Sequence, residues 1–142
     1  MAFVLDDRLE RDTLPVDDLA LSRLLLMNDA TYPWLILVPR VAGVAEIIDL
    51  SPSDRARLLD EIVAVSTALR DETEPVKLNV AALGNMVRQL HVHIVARFEA
   101  DPAWPGPVWG KVPPVPYRPE AADALVSRLR DRLAPSPVPV SS

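Results

Sequence analysis

The sequence predicts an α+β domain, an antiparallel sheet with two helices packed on it. Three observations carry this. Short apolar runs bounded by turn residues outnumber helical stretches. Two stretches have amphipathic helical periodicity, one mid-chain and one near the end. Strands and helices do not alternate regularly, as they would around a parallel sheet.

Leu19 to Met27 (LALSRLLLM) and Trp34 to Pro39 (WLILVP) read as two strands, joined by the turn-rich Asn28-Asp-Ala-Thr-Tyr-Pro33 in the manner of a hairpin. Val41-Ala-Gly43 ends the second. Leu50-Ser-Pro-Ser-Asp54 is a helix start: Ser51 caps, Pro52 suits the first helical position and Asp54 completes a capping-box pattern. Leu58, Ile62, Val65 and Leu69 then share one face, with Leu59 and Val63 beside them, and the helix is expected to end near Arg70. Strands follow at Val76 to Leu83 and at about Val87 to Phe98, separated by Gly84-Asn85. A last helix covers about Pro119 to Leu133, with Ala122, Leu125, Val126, Leu129 and Leu133 inward.

At 142 residues and 15.6 kDa the chain fits a single domain, residues 1–134, with a Pro-rich tail at 135–142 expected to be extended or disordered. No apolar run approaches the roughly 20 residues of a membrane span, and the acidic start MAFVLDDRLERD lacks a signal pattern, so a cytoplasmic location without membrane association is expected. The absence of cysteine excludes disulfides, thiolate chemistry and Cys-ligated zinc. A net charge of −5 argues against a general nucleic-acid binder but not against a small anionic ligand, which a few local donors can hold.

Both of the chain's histidines, His91 and His93, lie in Gln89-Leu-His-Val-His-Ile-Val-Ala-Arg97. On a strand, Gln89, His91, His93, Val95 and Arg97 share one face, and the apolar Leu90, Val92, Ile94, Ala96 and Phe98 share the core face. Three readings stay open from spacing alone. The imidazoles are incidental on an exposed face; they ligate a metal, for which a third ligand would have to be Asp or Glu; or one attacks as a nucleophile while the other positions or protonates.

Gly84-Asn-Met-Val-Arg-Gln-Leu-His91-Val-His93-Ile-Val-Ala-Arg97 resembles the signature of the histidine triad (HIT) superfamily, in which three histidines alternate with apolar residues. The hairpin LLLMND…YPWLILVPR, the capped helix after DLS and the strand KLNVAALGN follow in the family's order, so the likeness covers about residues 3–110. With Asp101 to Gly110 (DPAWPGPVWG) after the motif, the chain looks like the small bacterial HIT-like proteins, a diadenosine-polyphosphate-hydrolase-like group.

The resemblance implies a nucleoside-phosphate hydrolase or nucleotidyl transferase working as a homodimer, with a non-catalytic nucleotide-binding module and a His-x-His metal protein as alternatives. His91 matches the nucleophile that forms a covalent nucleotidyl-imidazole. His93 matches the residue that contacts phosphate and protonates the departing oxygen. Gln89 stands where the family has its first histidine; it keeps the backbone carbonyl that orients the nucleophile, and its amide offers a donor to phosphate. Asn85 matches a phosphate contact. Gly84 is expected to adopt positive φ and to allow close backbone approach to an anion. Asn79 resembles a polar residue near the leaving group, and Asn28 sits where relatives approach the ribose. Arg97 is read either as neutralising phosphate or as a solvated strand end. Trp104 or Trp109 would cover the site or stack on a base, with burial against the sheet as the alternative. No cofactor or resident metal is implied, although Mg²⁺ often accompanies phosphate substrates.

Overall fold

The computed structural model describes residues 2–135; the remainder of the expected tail, 136–142, lies outside the described residues. The strands are β1 (Thr13–Asp18), β2 (Ser22–Met27), β3 (Trp34–Pro39), β4 (Lys77–Ala82) and β5 (Val92–Arg97), and the helices are α1 (Asp7–Asp12), α2 (Pro52–Thr73) and α3 (Pro119–Leu133). The strands form one antiparallel sheet in the order β1-β2-β3-β5-β4. The α+β class read from the sequence is the observed one.

The register explains why WLILVP and VHIVAR are apolar with little alternation. Leu24 and Leu26 on β2, Leu35 and Leu37 on β3, and Val92, Ile94 and Ala96 on β5 point to one face, where α2 and α3 add Leu58, Val65, Leu69, Leu125 and Leu129. Leu25, Trp34, Ile36, Val38 and Val95 point to the opposite face and meet Ala103 and Val108 of the Pro-rich segment together with Leu9 of α1. Both faces are covered, so both side-chain sets of β3 and β5 are buried. Each fully buried Leu, Ile or Val contributes about 1.5–3 kcal/mol relative to exposure.

α2 begins as the sequence indicates, with the Ser51 hydroxyl accepting from the Asp54 N–H (3.1 Å) and Pro52 in the first turn. The Asp54 carboxylate instead pairs with Arg57 at 3.0 Å. The helix runs to Thr73, beyond Arg70, and stops where Glu74 enters the left-handed region at φ 51°. Glu61, buried on its inner face, accepts from the backbone N–H groups of Leu21 (2.9 Å) and Ser22 (3.1 Å), which fastens α2 to the β1–β2 turn.

Two elements are absent from the sequence reading. Residues 7–12 form a short helix capped by Asp6, and residues 13–18 form a strand of their own. TLPVDD holds a proline and two acids, which suit a turn. β1 tolerates them because it is an edge strand, with a register shift between Pro15 and Asp17. The predicted strand over 87–98 is shorter, beginning at Val92; the chain from Leu83 to His91 is a loop carrying Gln89. Among the described residues no helix is long and apolar enough to cross a membrane.

Candidate active site

His93 lies on β5 opposite Ile36 of β3 and Ala81 of β4, and His91 immediately precedes the strand. The ring centroids are 4.9 Å apart with planes at 73°. Both residues are buried, at 5 % and 4 % exposure, so the incidental exposed face is not what forms. They reach an open cleft of about 590 Å³ whose other walls come from α1 (Arg8, Leu9, Arg11, Asp12), the loop Leu83–Val87, Met27 and Trp109.

Two hydrogen bonds set the protons of the imidazoles. His91 Nδ1 lies 2.7 Å from the Gln89 carbonyl oxygen. A carbonyl only accepts, so Nδ1 carries the hydrogen and Nε2 of neutral His91 keeps its lone pair. The orienting carbonyl implied for position 89 is thus in place. The indole N–H of Trp34 donates to Nδ1 of His93 at 3.0 Å. An indole only donates, so the neutral His93 ring carries its hydrogen on Nε2. Burial first, and the neighbouring His91 charge second, push the His93 pKa down from 6.5 to about 3. His93 is therefore a neutral hydrogen-bond donor near pH 7, a form suited to the phosphate contact the resemblance implies for it.

The Gln89 side chain is turned away from the histidines' chemistry. Its Oε1 accepts from the Asp6 N–H and its Nε2 donates to the Val4 carbonyl, both at 2.8 Å, which stitches the N-terminal segment to the motif. The expected amide donation to phosphate is replaced by this tie. Asn85 and Gly84 line the cleft with the histidines. Gly84 does not adopt positive φ; Gly43 and Gly110 do. A Cβ at Gly84 would sit 3.5 Å from the Val87 carbonyl, an ordinary contact, so the loop does not need glycine there for its backbone shape.

Arg97 is neither a phosphate contact in this geometry nor a solvated strand end. It is 1 % exposed and donates to both Asp101 oxygens (2.9 and 3.1 Å), to Asn79 Oδ1 (2.7 Å) and to the Gly106 carbonyl (2.7 Å). Asp101 also accepts from the N–H groups of Phe98, Ala103 and Trp104. The Arg97 guanidinium holds the Asp101 carboxyl below its ordinary value. Trp104 packs against that guanidinium at 5.7 Å. This hub shapes the segment whose far end delivers Trp109 to the cleft. Asn79, occupied by Arg97, is not brought together with the histidines.

A second open cleft of about 450 Å³ adjoins the first through Arg11, Asp12, Met27 and Trp109. Its walls are mainly apolar: Trp34, Val108, Val112, Pro114 and Pro116. Asn28 lies at its edge with Oδ1 accepting from the Tyr117 N–H (2.9 Å), and Asp29 accepts from Thr31 and Val115. Sequence reasoning missed Trp34, Arg8 and Arg11. The one available signal was the indole itself, since a buried N–H needs an acceptor and an unassigned imidazole nitrogen provides one. Among the described residues no group of three or more His, Cys, Asp or Glu side chains is placed to hold a metal ion.

A model of the HIT domain matches residues 8–100. The chain belongs to the HIT family. This HIT protein is 48 % identical to a histidine triad protein from Bradyrhizobium japonicum, with a TM-score of 0.93 over 94 % of this chain and 100 % of the other. Histidine triad proteins from Marinobacter aquaeolei (49 %, TM-score 0.91, 94 % and 97 % covered) and Sinorhizobium meliloti (47 %, TM-score 0.90, 92 % and 96 % covered) share the fold at the same level. No curated protein matches the chain.

Proposed function

We propose that this HIT protein is a nucleoside-phosphate hydrolase or nucleotidyl transferase that works through a covalent nucleotidyl-histidine on His91. The observation that carries the reading is the 2.7 Å bond from His91 Nδ1 to the Gln89 carbonyl, which leaves Nε2 as a neutral nucleophile within the cleft. Nε2 attacks the α-phosphorus. A P–N bond forms, the P–O bond to the leaving group breaks, and that oxygen takes the electron pair. The resulting imidazolium keeps its Nδ1–H on the carbonyl. Water then attacks phosphorus, the P–N electrons return to Nε2, and the released proton passes to solvent. His93 Nε2–H and the Asn85 amide supply donors to the phosphoryl oxygens at the mouth of the open cleft. The apolar cleft beside Trp109 takes the nucleoside, and Mg²⁺, where present, arrives with the phosphates.

A homodimer fits the exposed apolar residues Leu59 and Val63 on α2 and Val80 on β4, the outer strand of the sheet, whose free edge offers backbone groups for pairing. One observation favours a second reading, a nucleotide-binding module without turnover: Gln89 brings no titratable group to the first motif position. Incubation with α-labelled adenosine nucleotide separates the two. An acid-labile, base-stable protein adduct in the parent chain, absent from His91→Asn, supports the enzyme; tight binding with no adduct in either supports the module.

A further inference from the structure

The HIT motif does not account for the wall of the cleft that faces it. That wall is α1, and it is fastened in place. Gln89 holds the backbone of Val4 and Asp6, each at 2.8 Å. Asp6 caps the helix by accepting from the Arg8 N–H, Leu9 is buried in the core below, and Thr13 Oγ1 closes the helix by donating to the Leu9 carbonyl at 2.5 Å. Arg8 and Arg11, three residues apart, share one side of this helix, and both line the cleft that holds His91 and His93. Arg8 has no ion-pair partner among the described residues. Arg11 meets only Asp12, at 3.1 Å, with the two side chains 69 % and 53 % exposed, a pairing too solvated to hold the guanidinium against a better acceptor.

The geometry points to Arg8 and Arg11 as the side chains that bind the departing phosphate chain, and so to nucleoside phosphoanhydrides, rather than phosphoramidates or phosphoesters, as the substrates of the His91 site. This rests on the function proposed above. The nucleoside cleft and the histidine cleft meet at Trp109, Met27, Arg11 and Asp12, so a nucleoside bound beside Val112 and Pro114 places whatever follows the α-phosphate next to α1. Guanidinium forks match phosphate oxygens in charge and geometry. The leaving-group chemistry agrees. When the P–O bond of an anhydride breaks, the departing phosphate keeps the electron pair as a stable anion and needs no proton. An amine or alkoxide would need one, and the neutral His93, its Nδ1 already taken by Trp34, holds none to spare. Gln89 is then a positioning residue: it brings no proton to the site but holds the segment whose two cations line the same cleft as the nucleophile.

The test compares diadenosine tetraphosphate with adenosine 5′-phosphoramidate on the full chain and on Arg8→Ala/Arg11→Ala, with the Lys/Lys double variant as the conservative control. The expected result is a kcat/KM at least about tenfold higher for the anhydride in the parent, a gap that closes in the Ala pair and partly returns in the Lys pair. A parent that prefers the phosphoramidate, or a gap unchanged by the Ala pair, overturns the assignment. Calorimetric titration with ADP and AMP reads the same cations without turnover. An affinity gap of about tenfold that the Ala pair abolishes supports the phosphate role of α1, and an unchanged gap overturns it. Absence of turnover on both substrates would sink the hydrolytic function while the titration still decides the arginines.

Discussion

The Trp34 indole N–H reaches across from β3 to β5 and donates to Nδ1 of His93 at 3.0 Å, so a residue outside the motif decides which nitrogen of a motif histidine carries hydrogen. The two rings are tilted at 58° with centroids 5.7 Å apart, and Trp109 meets both edge-on. A neutral histidine with its tautomer fixed presents one face of its chemistry, a donor at Nε2.

Removing that donor should therefore loosen the tautomer without removing the imidazole. Trp34→Phe is expected to lower kcat about ten- to a hundredfold with a smaller change in KM, and to alter the pH profile as His93 gains the Nδ1–H form. The lost hydrogen bond and the space left by the indole cost about 1–3 kcal/mol of stability. Urea unfolding measured alongside the pH–rate profile separates the two effects; a loss of stability with an unmoved profile would show that Trp34 only packs.

The depressed His93 pKa makes a thermodynamic prediction with a definite sign. Unfolded His93 takes up a proton below about pH 6.5, whereas the folded ring resists protonation until about pH 3. Between those values the unfolded state binds more protons, so stability falls as pH falls, by at most about 1.4 kcal/mol per pH unit from this residue. Asp101, whose carboxyl is depressed by Arg97, contributes stability that is present above about pH 3.9 and is lost as pH drops through its folded value, which keeps it outside the interval pH 7 to 4.5. Denaturation midpoints of the parent and of His93→Asn over that interval should diverge, the variant showing the flatter dependence. Parallel curves would mean that His93 is charged in the fold.

How much of this was legible depends on whether a residue's partner is local. Ser51-Pro52 announces α2 because a cap and its helix are neighbours. The periodicity of Ala122, Leu125 and Leu129 announces α3 in the same way. His91 and His93 could be placed on one side of the chain because alternation is local too and carries over from β5 to the residue just before it. β1 was hidden because its proline and acids are tolerated only on an edge strand, which a linear reading cannot identify. The roles of Gln89 and Trp34 were hidden because their partners lie 85 and 59 residues away in the chain, and that of Arg97 because the turn that folds Asp101 and Gly106, only 4 and 9 residues on, back around it follows no periodic pattern. Arg97 is the instructive case. Its charge suggested phosphate, and only Asp101 and Gly106 coming together around it reveal an internal clamp.

That clamp is testable through stability. Arg97→Met leaves the buried Asp101 carboxylate with backbone donors only, and should destabilise the chain by about 3–5 kcal/mol. Asp101→Asn combined with it should recover part of the loss, since no uncompensated charge then remains. Urea unfolding followed by tryptophan fluorescence would report the loosening of Trp104 and Trp109. Additive losses in the double variant would show that the two residues act independently.

Gln89→His reconstructs the family's first motif position and distinguishes two views of it. If Gln89 were a lost triad member, histidine should raise turnover. The structure argues the reverse, because the group that orients His91 is a backbone carbonyl, which any residue supplies. What glutamine adds is an amide whose oxygen and nitrogen lie side by side and engage the Asp6 N–H and the Val4 carbonyl together. The two nitrogens of an imidazole point away from each other and cannot make both bonds. Two lost hydrogen bonds amount to roughly 1–3 kcal/mol, enough to release the segment carrying Arg8 and Arg11 while the sheet stays folded. Gln89→His is expected to lower kcat/KM for an anhydride substrate by about tenfold and to raise hydrogen exchange across residues 3–12. Faster turnover together with unchanged exchange would mean that the amide tie is dispensable and that a third imidazole is what the site lacks.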